Sequence, residues 1–219
     1  MALDLQTARL ALRGAVERWF EQPGAAVLDR LGFTANSATL AGLALAGGAA
    51  YLAAIGSFVL AGGLVLIGAA FDLLDGALAR RSGLVGPRGA LLDSVADRVS
   101  EGALFLGLLV YYTLPDTDRQ LGAVLAFVAF AGSIMVSYVR ARAEGLGLKG
   151  TAGFLTRPER VAIAAGALLA GQPLVLLWIL AVGTPLSAVE RFRAVWRLAG
   201  RQSGPRQEER HGSEPPPAT

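Results

Sequence analysis

The chain of 219 residues has no cysteine and one histidine. Disulfides, thiolate metal sites and cysteine nucleophiles are therefore excluded. His211 lies in a polar, proline-rich terminal stretch, which leaves no imidazole for a catalytic centre elsewhere. Charge is also scarce: Asp, Glu, Lys and Arg make up 17% of the residues, where a soluble domain carries about 25%. Long stretches lack it altogether. Ser37–Phe71, Gln120–Val139 and Val161–Val189 contain no charged side chain, and about 20 mostly apolar residues are enough to cross a bilayer.

What fills those stretches is apolar and small. Hydrophobic residues make up 53% of the chain, glycine occurs 28 times, and the mean hydropathy is +0.50. Small residues let helices approach closely in lipid, so an all-α, polytopic membrane protein is expected. Glycine and proline punctuate the apolar runs and divide them into six predicted transmembrane helices. These are Asn36–Ala53, Ser57–Arg80, Gly89–Leu114, Arg119–Ala143, Pro158–Ala170 and Pro173–Val195.

The N-terminal stretch MALDLQTARLALRGAVERWF is interrupted by Asp4, Arg9, Arg13 and Glu17, which excludes the apolar core of a cleavable signal peptide. It reads as an amphipathic helix lying in the headgroup plane. Residues 1–30 are thus expected to form a cytoplasmic amphipathic helix, 31–198 the six-helix transmembrane domain, and 199–219 a disordered cytoplasmic tail. All Lys and Arg residues except Arg119 fall on one side of this topology. The positive-inside rule then puts both termini in the cytoplasm, in a multi-pass protein of the plasma membrane. The basic balance, a net charge of +3, follows from arginines flanking apolar runs and points to the membrane surface, not to nucleic acid.

Against this background Asp72, Asp75, Asp93 and Asp97 stand out. Asp72 and Asp75 are three apart and Asp93 and Asp97 four apart, so each pair shares a helix face. The turn between them, with Gly83, Gly86 and Pro87, folds the two helices back on each other. Because the uncharged part of the third span is short, Asp97, Arg98 and Glu101 are drawn toward the bilayer boundary, where charge is expensive and marks function. Grouped carboxylates repel one another, and a divalent cation relieves this. An all-oxygen donor set without Cys or His suits Mg²⁺ or Mn²⁺. Gly76 beside Asp75 and Gly89 one turn before Asp93 leave room for a ligand, and with Arg80 that ligand is expected to carry phosphate. Structural ion pairs with Arg80, Arg88 and Arg98 would explain a single aspartate, not the set.

The arrangement Asp72, Asp75, Gly76, Ala79, Arg80, Gly89, Asp93, Asp97 matches the spaced signature of the CDP-alcohol phosphatidyltransferase family. The similarity runs from about Asp29 to Arg197, and TANSATLAG from Thr34 resembles the family's first-span opening. The resemblance implies six transmembrane helices, a homodimer, and an active site open to the cytoplasmic leaflet. CDP-diacylglycerol would donate its phosphatidyl group to an alcohol, releasing CMP. It further implies two divalent cations per site, one held by Asp72, Asp75 and Asp93 and one by Asp72, Asp93 and Asp97. Gly76 and Arg80 would contact the CDP moiety with the backbone of Ala35, Asn36, Ser37 and Ala38, and Gly86 stands where relatives offer a hydroxyl. Asp97 is the expected general base, taking the proton of the attacking hydroxyl.

SYVRARAEGLG from Ser137 and RPERVAI from Arg157 resemble the branch of the family whose acceptor is inositol phosphate. By that resemblance Ser137, Arg140, Arg160 and Arg191 would hold the acceptor's phosphate. Three arginines from separate spans suit a dianionic acceptor better than a free alcohol. Relatives carry lysine at the Arg140 position; arginine keeps the charge but alters reach and donor geometry. Glycerol 3-phosphate, the acceptor of phosphatidylglycerophosphate synthases, is the alternative phosphorylated alcohol. A divalent-cation transporter is the alternative outside enzymes, although the outer halves of the spans lack the polar residues it would want.

Overall fold

The computed structural model describes residues 14, 17–114, 120–148 and 153–202. Most of the N-terminal stretch, Arg119, Lys149 and the tail from Ser203, including His211, lie outside the described residues. Among the described residues the chain is helical and has no strand. A π-helical turn, Glu17–Glu21, leads into α1 (Gln22–Arg30). There follow α2 (Ala35–Ala54), α3 (Phe58–Ser82), α4 (Pro87–Thr113), α5 (Gln120–Gly145), α6 (Arg157–Leu169) and α7 (Pro173–Gln202).

Local chemistry sets the helix ends. Thr34 and Ser37 cap α2 reciprocally: Ser37 N–H donates to Thr34 Oγ1 at 3.2 Å and Thr34 N–H to Ser37 Oγ at 2.9 Å. Two N-terminal amides are thereby satisfied. Gly83, at φ 68°, ends α3 in the left-handed conformation that glycine adopts without steric cost. Pro87 opens α4, where its missing N–H is harmless. α7 runs through Gln202, past the boundary expected after residue 198.

Four helices, α2, α3, α5 and α7, are long and apolar enough to cross a membrane, not the six expected. The reason lies in the other two. α4 carries Arg88, Asp93, Asp97, Arg98 and Glu101 between its start and just past its midpoint, and α6 has only 13 residues. Only 28% of the apolar window of α2, and the same of α3, is buried inside the protein. The short α1 buries Ala25 against Ala77 and Leu78 of α3. It leaves Val27 and, just beyond its end, Leu31 exposed.

α2 packs on α3 and α4, α4 on α5, α5 on α7, and α3 on α6. The core around Phe105, Leu108, Tyr112, Leu168, Leu176 and Leu180 fills the centre. Glycine allows the tightest crossings. A Cβ on Gly107 of α4 would lie 2.2 Å from the Ala50 carbonyl oxygen of α2. Gly107→Ala should therefore force the two backbones apart and destabilise the fold by about 1–3 kcal/mol. Gly166→Ala, with nothing within 4 Å of the added methyl, should be neutral or slightly stabilising. Melting of both variants in detergent checks this; equal midpoints would mean that the α2–α4 crossing tolerates a side chain.

Candidate active site where α2, α3, α4 and α6 meet

The turn over residues 83–86 reverses the chain between α3 and α4, and both helices pack on their common neighbour α2. The sequence-predicted aspartates meet there. Asp72 and Asp97, from different helices, contact the same nitrogen: Arg157 Nη2 lies 2.7 Å from Asp72 Oδ2 and 2.8 Å from Asp97 Oδ1. Asp93 is within electrostatic reach of Asp72, Asp75 and Arg157. Asp75 is the most enclosed of the four, 5% exposed, and accepts a 2.6 Å hydrogen bond from the Thr39 hydroxyl of α2.

Four carboxylates on two facing helix ends form an all-oxygen donor set, which fits a hard divalent cation. As the side chains stand, no three acidic or imidazole groups among the described residues are gathered around one ion. The Arg157 guanidinium supplies positive charge between Asp72 and Asp97 instead. Of the arginines considered as structural partners, Arg98 is within electrostatic reach of Asp93 and Asp97, but neither its hydrogen bond nor the ion pair of Arg80 goes to an aspartate of the set. Arg80 pairs with Glu21 at 2.7 Å, and Arg98 donates to the Ser94 carbonyl on its own helix.

The glycines of the motif differ from those at helix crossings. A Cβ on Gly86 or Gly89 would meet nothing within 4 Å, and one on Gly76 would meet only Arg80 Nη1 at 3.4 Å. Space therefore adjoins the carboxylates. The first turn of α2, with Ala35, Asn36, Ser37 and Ala38, begins at the Thr34 cap. Thr39, one residue on, ties that turn to Asp75 through its hydroxyl.

The arginines expected to bind acceptor lie on α5, α6 and α7. Arg191 is within electrostatic reach of both Arg140 and Arg160, so the three cluster. Their surroundings differ. Arg140 is exposed and pairs with Glu144 at 2.8 Å; Ser137 sits half-buried one turn before it. Arg160 is 2% exposed. Its Nε and Nη2 grip Glu101 at 2.6 and 2.8 Å, and Nη1 donates to the Leu155 carbonyl at 3.2 Å. Arg191 Nη1 donates to the Val136 carbonyl at 3.1 Å. Its guanidinium lies over Gly153, at φ 111°, where a Cβ would come within 3.0 Å of Nε.

A cavity of about 70 Å³ is lined by Asp72, Ser100, Glu101, Arg157 and Arg160 together with Phe105 and small and aliphatic side chains. Thr39, Glu101 and Arg157 were absent from the site expected from sequence. Glu101 had a visible signal, a carboxylate drawn into an apolar span. Arg157 had only its place in RPERVAI, and Thr39 only its place in TANSATLAG.

An all-helical membrane-type bundle with this site is a phosphatidyltransferase: residues 33–189 match the CDP-alcohol phosphatidyltransferase profile, and the chain belongs to that family. The phosphatidylinositol phosphate synthase of Mycobacterium tuberculosis (strain ATCC 25618 / H37Rv) is 37% identical over 188 residues, covering 81% of this chain and 86% of the relative. That of Corynebacterium glutamicum is 35% identical over 179 residues, covering 78% and 81%. The crystal structure of the M. tuberculosis synthase with CDP-DAG bound superposes with a TM-score of 0.73 at 34% identity, over 80% of this chain and 93% of that one. The same enzyme in complex with manganese and citrate gives a TM-score of 0.73 at 34% identity, over 80% and 88%.

Proposed function

We propose that the protein transfers the phosphatidyl group of CDP-diacylglycerol to inositol 1-phosphate, giving phosphatidylinositol phosphate and CMP. The observation that carries the acceptor is the clustering of Arg140, Arg160 and Arg191 from three helices, with Arg160 lining the same cavity as Asp72. The relatives' shared activity supports the same reading. Asp72, Asp75, Asp93 and Asp97 would hold two divalent ions, Mg²⁺ or Mn²⁺. When bound, such ions neutralise a pyrophosphate and stabilise a departing phosphate oxygen.

The chain's own groups account for the remainder. Gly76, Gly86 and the first turn of α2 leave room for the cytidine diphosphate, and Arg80 supplies charge toward it once released from Glu21. Ser137 and the three arginines orient the acceptor. Asp97 takes the proton of the acceptor hydroxyl as its oxygen forms a bond to the lipid phosphorus. The bond from that phosphorus to the CMP oxygen breaks in line. In this reading α4 and α6 also cross the bilayer, with their charged ends in the site, which makes six spans. The basic flanks favour a site and both termini on the cytoplasmic side of the plasma membrane, and the family resemblance supports a homodimer.

The test incubates purified protein with CDP-diacylglycerol, Mn²⁺ or Mg²⁺, and either inositol 1-phosphate or glycerol 3-phosphate, and follows CMP release. Turnover is expected with inositol 1-phosphate. Release only with glycerol 3-phosphate would reassign the acceptor and leave the transfer reaction in place.

A further inference from the structure

Arg157 and Arg160 are one turn apart on α6 and hence on the same side of the helix, yet they are held in opposite ways. Arg160 is buried and uses Nε, Nη1 and Nη2 in good hydrogen bonds. Arg157 is the first residue of α6, with its side chain 28% exposed. One of its nitrogens spans two aspartates of different helices, while its Nε is buried without a partner. A buried N–H left unpaired is unfavourable, so this pose is incompletely satisfied. Glu101, the partner of Arg160, is also within electrostatic reach of Arg157, which gives the guanidinium a third acidic neighbour besides Asp72 and Asp97.

We propose that Arg157 is an internal counter-cation that exchanges with the metal: it holds Asp72 and Asp97 together in the cation-free protein and withdraws when a divalent ion takes those carboxylates. The proposal rests on reading the aspartates as the metal site. Arg157 Nη2 occupies one oxygen each of Asp72 and Asp97, so an ion taking those oxygens would displace the guanidinium and repel it. Its position at the helix end and its partial exposure allow the arginine to leave without unwinding α6. The exchange keeps the acidic cluster neutralised in both states, so that the site stays folded before it is loaded.

Arg157 would thus set how tightly the site binds its cation, and the test reads that affinity. Mn²⁺ binding to the full-length protein in detergent is titrated by electron paramagnetic resonance for wild type, Arg157→Lys and Arg157→Gln. Each is also melted with EDTA and with saturating Mn²⁺. Removing a competing guanidinium should tighten Mn²⁺ binding by at least about tenfold in Arg157→Gln. Arg157→Lys should fall between, because an ammonium keeps the competing charge but sits on a shorter, more flexible stem that holds the two carboxylates less firmly. With EDTA, Arg157→Gln should melt below wild type, and the gap should close on Mn²⁺ addition. Equal or weaker Mn²⁺ binding by both variants would overturn the exchange while leaving the metal site standing. No binding by any of the three at millimolar Mn²⁺ would overturn the metal site and the exchange together.

Discussion

Asp97→Asn is expected to slow CMP release by about 10²- to 10⁴-fold, the usual contribution of a positioned general base, with CDP-diacylglycerol binding largely retained. Asparagine preserves the shape of the side chain but cannot accept the acceptor's proton. Asp97 suits the role because α4 carries it into the cluster between Asp93 and the arginines, with its carboxylate reachable at 21% exposure. The groups assigned to the donor lie on other elements, Gly76 and Arg80 on α3 and the first turn on α2. A fall in kcat with an unchanged donor Kd is therefore the expected pattern. Saturating Mn²⁺ discriminates between roles. If excess metal restores the rate, Asp97 serves as a ligand and not as the base; if the Asp97→Asn variant turns over at the full rate without it, Asp97 has neither role.

The helices were legible because their ends are written in glycine and proline. The helix expected over Asn36–Ala53 is realised as Ala35–Ala54, that over Ser57–Arg80 as Phe58–Ser82, and that over Pro158–Ala170 as Arg157–Leu169, although the last is not among the four long and apolar enough to cross a membrane. That each aspartate pair shares one face of its helix was legible too, since helical spacing determines it. The partners were not. Periodicity along one helix says which residues share its face but not which side chain of a distant helix reaches them. Arg157 was counted as one of many cytoplasmic charges, yet it bridges to Asp72 across 85 positions of sequence. Glu101 could be seen to need compensation near the bilayer, but nothing in its spacing pointed to Arg160 over Arg98. The acceptor arginines could be assigned to the ends of their spans, whereas the burial of Arg160 and Arg191 against the exposure of Arg140 depends on how α5, α6 and α7 pack.

The Glu101–Arg160 pair supports the second large effect, on stability. Its side chains are 13% and 2% exposed, and two nitrogens of the guanidinium each meet one carboxylate oxygen. Glu101→Ala would strand a buried guanidinium with only the Leu155 carbonyl as partner; breaking such a pair from one side destabilises by about 3–5 kcal/mol. Replacing both partners, Glu101→Leu with Arg160→Met, removes the stranded charge and should restore most of the lost stability. Thermal melting should rank wild type and the double variant together, well above Glu101→Ala. A double variant as unstable as the single one would mean that packing, not charge compensation, holds α4 to α6 here. Activity separates Arg160's two duties. In the stable double variant, KM for inositol 1-phosphate should rise by more than about tenfold, as expected from losing a charge-assisted contact worth about 1.5–3 kcal/mol, while KM for CDP-diacylglycerol stays near the wild-type value. An unchanged acceptor KM would make Arg160 a purely structural partner of Glu101 and leave Arg140 and Arg191 to bind the acceptor phosphate.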